Sequence, residues 1–204
     1  MTLQAAEPRL VLASASAARK SLLERAGLRF EALPAQIDEA EVKRSAQAEG
    51  ASARETALLL ADLKSQRLAR RMPEALVIGC DQLLVCHDRW FDKPVDLAEA
   101  RAHLLALRGR SHTLVTAVLC RRGGQRLWHH VAEPVLTMRS FSDEFLDAYI
   151  AAEGESLTAT VGAYRLEGRG ALLFDAVRGD HESVLGLPLL PLLGFLRQHG
   201  VLKT

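Results

Sequence analysis

Two hydrophobic periods run through this chain, and the places where one gives way to the other divide it into elements. Leu10, Val11 and Leu12 form a short apolar run, six Ser and Ala residues follow, and Leu22, Leu23 and Ala26 then take helical spacing. The spacing predicts a strand, a tight turn and a helix, with Gly27 as its C-cap. Residues 28–33 read as a second strand that stops before Pro34. Residues 36–50 carry Asp38, Glu39 and Glu41 with little periodicity and read as a polar loop or lid. Residues 53–71 are rich in helix formers and end before Pro73. Within them Leu60, Lys64 and Leu68 share one face, so a lysine lies on an apolar stripe, where its ammonium either snorkels outward or meets an anion.

The second half of the chain reads in the same way. Residues 76–85, LVIGCDQLLV, predict a buried strand with Asp81 at its middle. Residues 87–89 read as a turn and 90–94 as a short loop holding Lys93. Asp96 and Glu99 open a helix that runs to about Leu107 and ends at Gly109. Residues 113–120 and 126–138 predict two strands joined through Gly123 and Gly124. Phe141, Ser142 and Leu146 mark the start of a helix over 143–152, and 162–170 form a glycine-rich loop with Tyr164 and Glu167. A strand over 171–177 and a last helix opened by Gly186, Leu187 and Pro188 complete the pattern, with Pro191 confined to that helix's first turn.

Composition narrows the class. At 204 residues and 49% hydrophobic content the chain can bury a substantial core. No stretch approaches the roughly 20 apolar residues of a membrane span. The first ten residues lack the basic-then-apolar order of a signal peptide, so a cytoplasmic location is expected. Cys80, Cys86 and Cys120 form no C-x-x-C pair and read as buried thiols. A net charge of +1 and only 5% aromatic residues leave no case for a nucleic-acid surface, so any anion site must be local.

Two stretches carry candidate chemistry. The turn at residues 13–18 has small side chains that let a ligand approach the backbone, and Ser14 or Ser16 can cap the helix. Arg19 and Lys20 stand in the first turn, where the macrodipole favours acidic residues. A bound anion resolves that conflict, which makes the stretch a candidate phosphate cradle; the alternative is an ordinary turn with solvated cations. In the other stretch, Asp81 inside an apolar strand must be hydrogen-bonded, paired or metal-bound. Gly79 beside it opens room for close approach.

Taken in order, the pieces LASASAARKSLL, IDEAE, the helix with Lys64, GCDQ, DKP, GRSHT, GAYRLEG and GLPL resemble the Maf family of nucleoside triphosphate pyrophosphatases from about Leu10 to Gly200. The resemblance implies a single α/β domain over the whole chain, with an elongated mixed β-sheet flanked by helices and two lobes around a central cleft. It also implies a homodimer, a divalent metal (Mg²⁺ or Mn²⁺), and cleavage of a triphosphate to a monophosphate and pyrophosphate. It places Ser14 and Arg19 at the phosphate-binding turn, Glu39 and Asp81 at the metal, and Lys64 and Lys93 with Arg19 against the phosphates. The resemblance further implies that Asp81 orients or deprotonates the attacking water.

Ala18, Gln82 and Glu167 are the positions that bear on the base. The branch acting on dTTP and UTP has arginine, threonine and glutamine there. Gln82 and Glu167 look instead like the branch acting on 7-methyl-GTP, while Ala18 replaces the tryptophan common in that branch. A carboxylate suits the two adjacent N–H donors of guanine, and an amide suits the alternating edge of uracil. A dTTP/UTP pyrophosphatase and a non-catalytic nucleotide-binding regulator of cell division are the rival readings.

Overall fold

The computed structural model describes residues 3–203. In chain order its elements are β1 (Leu10–Ala13), α1 (Ala17–Arg25), β2 (Glu31–Ala32), α2 (Glu39–Ala48), α3 (Ala53–Ala69), β3 (Leu76–Cys86), β4 (Arg89–Phe91), α4 (Leu97–Leu107), β5 (Ser111–Arg122), β6 (Gln125–Ala132), β7 (Val135–Met138), α5 (Asp143–Glu153), β8 (Phe174–Arg178), α6 (His181–Val184) and α7 (Leu189–Gln198). Three short 3₁₀ turns, Gly154–Ala159, Val161–Ala163 and Arg169–Leu173, lie between α5 and β8. The strands form one mixed α/β sheet in the order β2-β1-β3-β5-β7-β8, with β4 paired to β3 and β6 to β5. β1 runs parallel to both β2 and β3, whereas the β3–β4, β5–β6, β5–β7 and β7–β8 pairs are antiparallel. No helix among the described residues is long and apolar enough to cross a membrane.

The chain divides into two compact units. One holds the chain up to Gln82, Thr116–Ala132 and everything from Gly186 onward; the other holds Leu83–Val115 and Glu133–Leu185. In the first unit Val11, Ala13, Leu68, Ala69 and Val77 pack together as α3 lies on β1 and β3, and Trp128 of β6 stacks on Phe195 of α7 at 5.1 Å. Gly79 sets how close α3 can come. An ideal Cβ there would fall 2.2 Å from the Ala61 carbonyl oxygen, so only a glycine lets the helix touch the strand. The second unit has its own core, built from residues such as Leu84, Phe91, Leu104, Leu146 and Leu173. Tyr164 is buried in it and shares a 2.8 Å hydrogen bond with His112.

Several expectations need correction. Residues 36–50 are not a loop: Glu39–Ala48 is helical, because Asp38 caps the first turn by accepting from the Glu41 amide at 2.9 Å and Glu41 pairs with Arg44 one turn on. Only Ala46 of that helix is buried, so no apolar stripe advertises it. The expected loop at 90–94 begins as strand β4, which closes a tight hairpin on β3 with His87 at φ 54° and no glycine to signal the turn. The run 126–138 is two strands, broken at Pro134, and β2 is only two residues long. The last strand starts at Phe174 instead of residue 171, since Arg169–Leu173 coils first.

Candidate active site

β1 connects through α1 to β2 on one side of it, and the chain then returns through α2 and α3 to β3 on the other side. Connections that part in opposite directions leave a crevice outside the carboxyl end of a parallel strand. Ala13, the last residue of β1, pairs with Gly79, so Asp81 lies on β3 just beyond that end.

The turn after β1 is held by its own serines. Ser16 is the N-cap of α1 and accepts from the Arg19 amide at 3.4 Å, while Ser14 Oγ accepts from the Ser16 amide at 3.2 Å. The first turn holds no acidic residue. Arg19 is 9% exposed, and its guanidinium is fixed by three acceptors: Ser14 Oγ at 3.2 Å, the Cys80 carbonyl at 3.1 Å and the Gly186 carbonyl at 2.8 Å. Gly186 has φ +98°, and a Cβ there would stand 3.2 Å from Arg19 Nε. A side chain at 186 would therefore disturb both the backbone and the arginine. Lys20, read as a second cradle cation, instead lies outside and pairs with Glu24 at 3.6 Å across one helical turn. Ala18 is half-buried in the same first turn of α1.

Across the carboxyl end of β1, three charges form a chain. Lys64 Nζ donates to Asp81 Oδ1 at 2.5 Å and lies 2.8 Å from Glu39 Oε1. Lys64 is 7% exposed and Asp81 3% exposed, so of the two outcomes open to the lysine it meets an anion and does not snorkel outward. The ammonium stays buried because two carboxylates meet it. Burial pushes the Asp81 carboxyl above its ordinary value, and the Lys64 ammonium and Arg19 guanidinium pull it back. Burial also pushes the neighbouring Cys80 thiol up to about 11, so it stays a thiol. Asp81 Oδ2 is buried and has no hydrogen-bond partner among the described residues.

That orphaned oxygen tests the implied metal. Asp81, Glu39, Lys64 and Arg19 sum to zero charge, and a buried acceptor without a donor is a hard oxygen ligand in waiting. Among the described residues no group of three or more His, Cys, Asp or Glu side chains could hold a metal. Glu39 and Asp81 supply hard carboxylate oxygens of the kind a divalent ion takes together with phosphate oxygens and water.

Gln82 follows Asp81 and donates through its amide to Thr116 Oγ1 at 2.8 Å. Lys93 and Glu167 belong to the second unit. Lys93 is exposed in the segment between β4 and α4, and Glu167 is exposed in the turn that precedes Arg169–Leu173. The structure thus brings together Ser14, Arg19, Glu39, Lys64 and Asp81, five of the residues singled out from sequence. The carbonyls of Cys80 and Gly186 and the hydroxyl of Thr116 were not foreseen. Backbone acceptors carry no sequence signal, although Gly186 does mark one of the two places.

A buried carboxylate and a fixed guanidinium at the switch point of an open α/β sheet define an enzyme built around an anionic ligand. The chain belongs to the Maf family, whose model, described as "Maf-like protein", matches residues 9–199. A protein of Granulibacter bethesdensis named nucleoside triphosphate pyrophosphatase is 61% identical over 96% of this chain and 100% of its own length. A Rhodospirillum rubrum protein of the same name is 54% identical over 97% of this chain and 98% of its own. A Rhizobium etli protein named 7-methyl-GTP pyrophosphatase is 46% identical over 96% of this chain and 98% of its own.

Proposed function

We propose that the protein is a metal-dependent nucleoside triphosphate pyrophosphatase that prefers 7-methyl-GTP and yields the monophosphate and pyrophosphate. The observation that carries this reading is the buried Lys64–Asp81 pair at the carboxyl end of β1, joined from its more exposed side by Glu39, with Asp81 Oδ2 unpartnered. Glu39 and Asp81 are the residues that would hold the divalent ion, and bound there it supplies charge neutralisation for the triphosphate. Asp81 orients or deprotonates the attacking water. Lys64 holds Asp81 Oδ1 in place, so the carboxylate presents the other oxygen. Arg19 and the Ser14 turn bind phosphate, because the guanidinium is pre-set by three acceptors and loses little freedom on binding.

Gln82 and Glu167 support the choice of base, and Lys93 is assigned to the phosphates by resemblance. Glu167 is acceptor-only, and a methylated, cationic guanine suits it better than a pyrimidine does. The relatives named 7-methyl-GTP pyrophosphatase support the same choice. A homodimer in the cytoplasm is part of the same reading. Pyrophosphate release across 7-methyl-GTP, GTP, UTP, dTTP and CTP with Mg²⁺ and Mn²⁺ tests it. A higher kcat/KM for 7-methyl-GTP than for the other four is expected; preference for UTP or dTTP overturns the base assignment, and no metal-dependent release overturns the activity.

A further inference from the structure

Outside the Asp81 site, one buried acid holds two cations. The side chain of Glu153, at the end of α5, is 2% exposed, yet it lies against two largely exposed arginines. Arg165 Nη2 donates to Glu153 Oε2 at 3.0 Å and Arg169 Nη1 donates to Oε1 at 3.1 Å. Ser156 Oγ donates to Oε2 at 3.2 Å, and Arg169 also reaches the Ala152 carbonyl at 3.4 Å. Burial by itself would raise the Glu153 carboxyl, but the hydrogen bonds from Arg165 and Arg169 hold it below its ordinary value.

The two arginines flank Glu167, each two residues away. The segment between them folds back on itself. The Gly168 amide donates to the Arg165 carbonyl at 3.1 Å, and a Cβ on Gly170 would fall 2.3 Å from that same oxygen. Glu167 therefore lies in a tight turn between two guanidiniums; Arg165 feels its charge, but both arginines give their carboxylate hydrogen bonds to Glu153. A buried carboxylate outcompetes an exposed one for these cations, because charge-assisted bonds strengthen where water is excluded.

We propose that Glu153 is a specificity-positioning residue: by engaging Arg165 and Arg169 it keeps both guanidiniums off Glu167, whose carboxylate then accepts from the base of the substrate. The inference rests on the reading that Glu167 recognises the base. It predicts that the two arginines are competitors of the substrate and not its ligands. Released from Glu153, either can pair with Glu167 in solvent, where such a pair is worth up to about fivefold in an equilibrium.

The test measures kcat and KM for 7-methyl-GTP and UTP in four full-length proteins beside the wild type. In Glu153→Gln, the KM for 7-methyl-GTP should rise, by up to about fivefold, with kcat and the UTP values unchanged. In Glu153→Gln/Arg165→Gln/Arg169→Gln, the 7-methyl-GTP KM should return to the wild-type value, an outcome that a merely structural role would not produce. Arg165→Gln leaves Glu153 paired with Arg169, so it carries the test even if the Glu153 variants do not fold, and its preference for 7-methyl-GTP should match or exceed the wild type's. Glu167→Gln isolates the underlying reading. If it leaves the substrate ratio untouched, base recognition by Glu167 is wrong. If it shifts the ratio while Glu153→Gln does not, or while Arg165→Gln loses the preference, the role given to Glu153 is wrong.

Discussion

Replacing Gly79 by alanine probes the packing that sets the charge chain at the end of β1. The added Cβ would meet the Ala61 carbonyl oxygen at 2.2 Å and the Ser65 Cβ at 2.9 Å. The first obstacle is helix backbone, so no rotamer change relieves it. Opening 2.2 Å to 3.0 Å requires α3 to move from β3 by about 0.8 Å. Lys64 rides on α3 and Asp81 on β3, so their 2.5 Å contact would lengthen by a similar amount, to the edge of hydrogen-bond range. Overpacking of this kind costs about 1–3 kcal/mol. In a chain of this size that corresponds to a fall in Tm of roughly 2–12 °C. A weakened charge-assisted bond of about 1.5–3 kcal/mol at the carboxylate should also lower kcat by roughly 10- to 100-fold.

Thermal unfolding followed by circular dichroism, together with pyrophosphate release at saturating substrate, reads both effects. Gly124→Ala is the control, since a Cβ there meets nothing within 4 Å and its φ is not in the left-handed region. If Gly79→Ala melts with the wild type and turns over at the wild-type rate, the approach of α3 to β3 does not position Lys64.

Three further outcomes are expected. Asp81→Asn should lower kcat by about 10²–10⁴ while near- and far-UV circular dichroism stay those of the wild type, because the amide keeps the shape and loses the proton acceptor; near-normal turnover would refute the assignment. Arg19→Lys should raise KM for the triphosphate by roughly tenfold or more, since an ammonium cannot reproduce a guanidinium held at once by Ser14, Cys80 and Gly186. His112, buried and held down to about 4 by desolvation, should make the fold acid-sensitive. Its folded value lies below the unfolded one, so the unfolded chain binds more protons between pH 6.5 and 4, and stability falls as pH drops through that window. The full loss is about 3 kcal/mol, taken from 1.36 kcal/mol per pKa unit. Urea unfolding at pH 7.5 and 4.5 should show a smaller drop in His112→Asn than in the wild type; equal drops would remove His112 as the cause.

The sequence by itself determined the local pieces of this protein. The apolar run at residues 10–12, the serines after it and Gly27 specified β1, α1 and their turn, because caps and periodicity act over a few residues. The same local chemistry marked Asp81 and Lys64 as charges in apolar surroundings. Exposed structure was poorly legible: α2 buries one alanine and shows no stripe, and β4 closes its turn on a histidine. Only the tertiary structure decided that Lys64 meets Asp81 and Glu39 instead of water. That outcome depends on Gly79 letting a helix approach a strand and on α2 bringing Glu39 to the same place. It likewise decided that Arg19 turns inward to two carbonyls while Lys20 turns outward, since both are cations on the same helical turn and only the acceptors from β3 and Gly186 distinguish them. Contacts between residues distant along the chain depend on how its elements pack, and no local pattern of side chains encodes that.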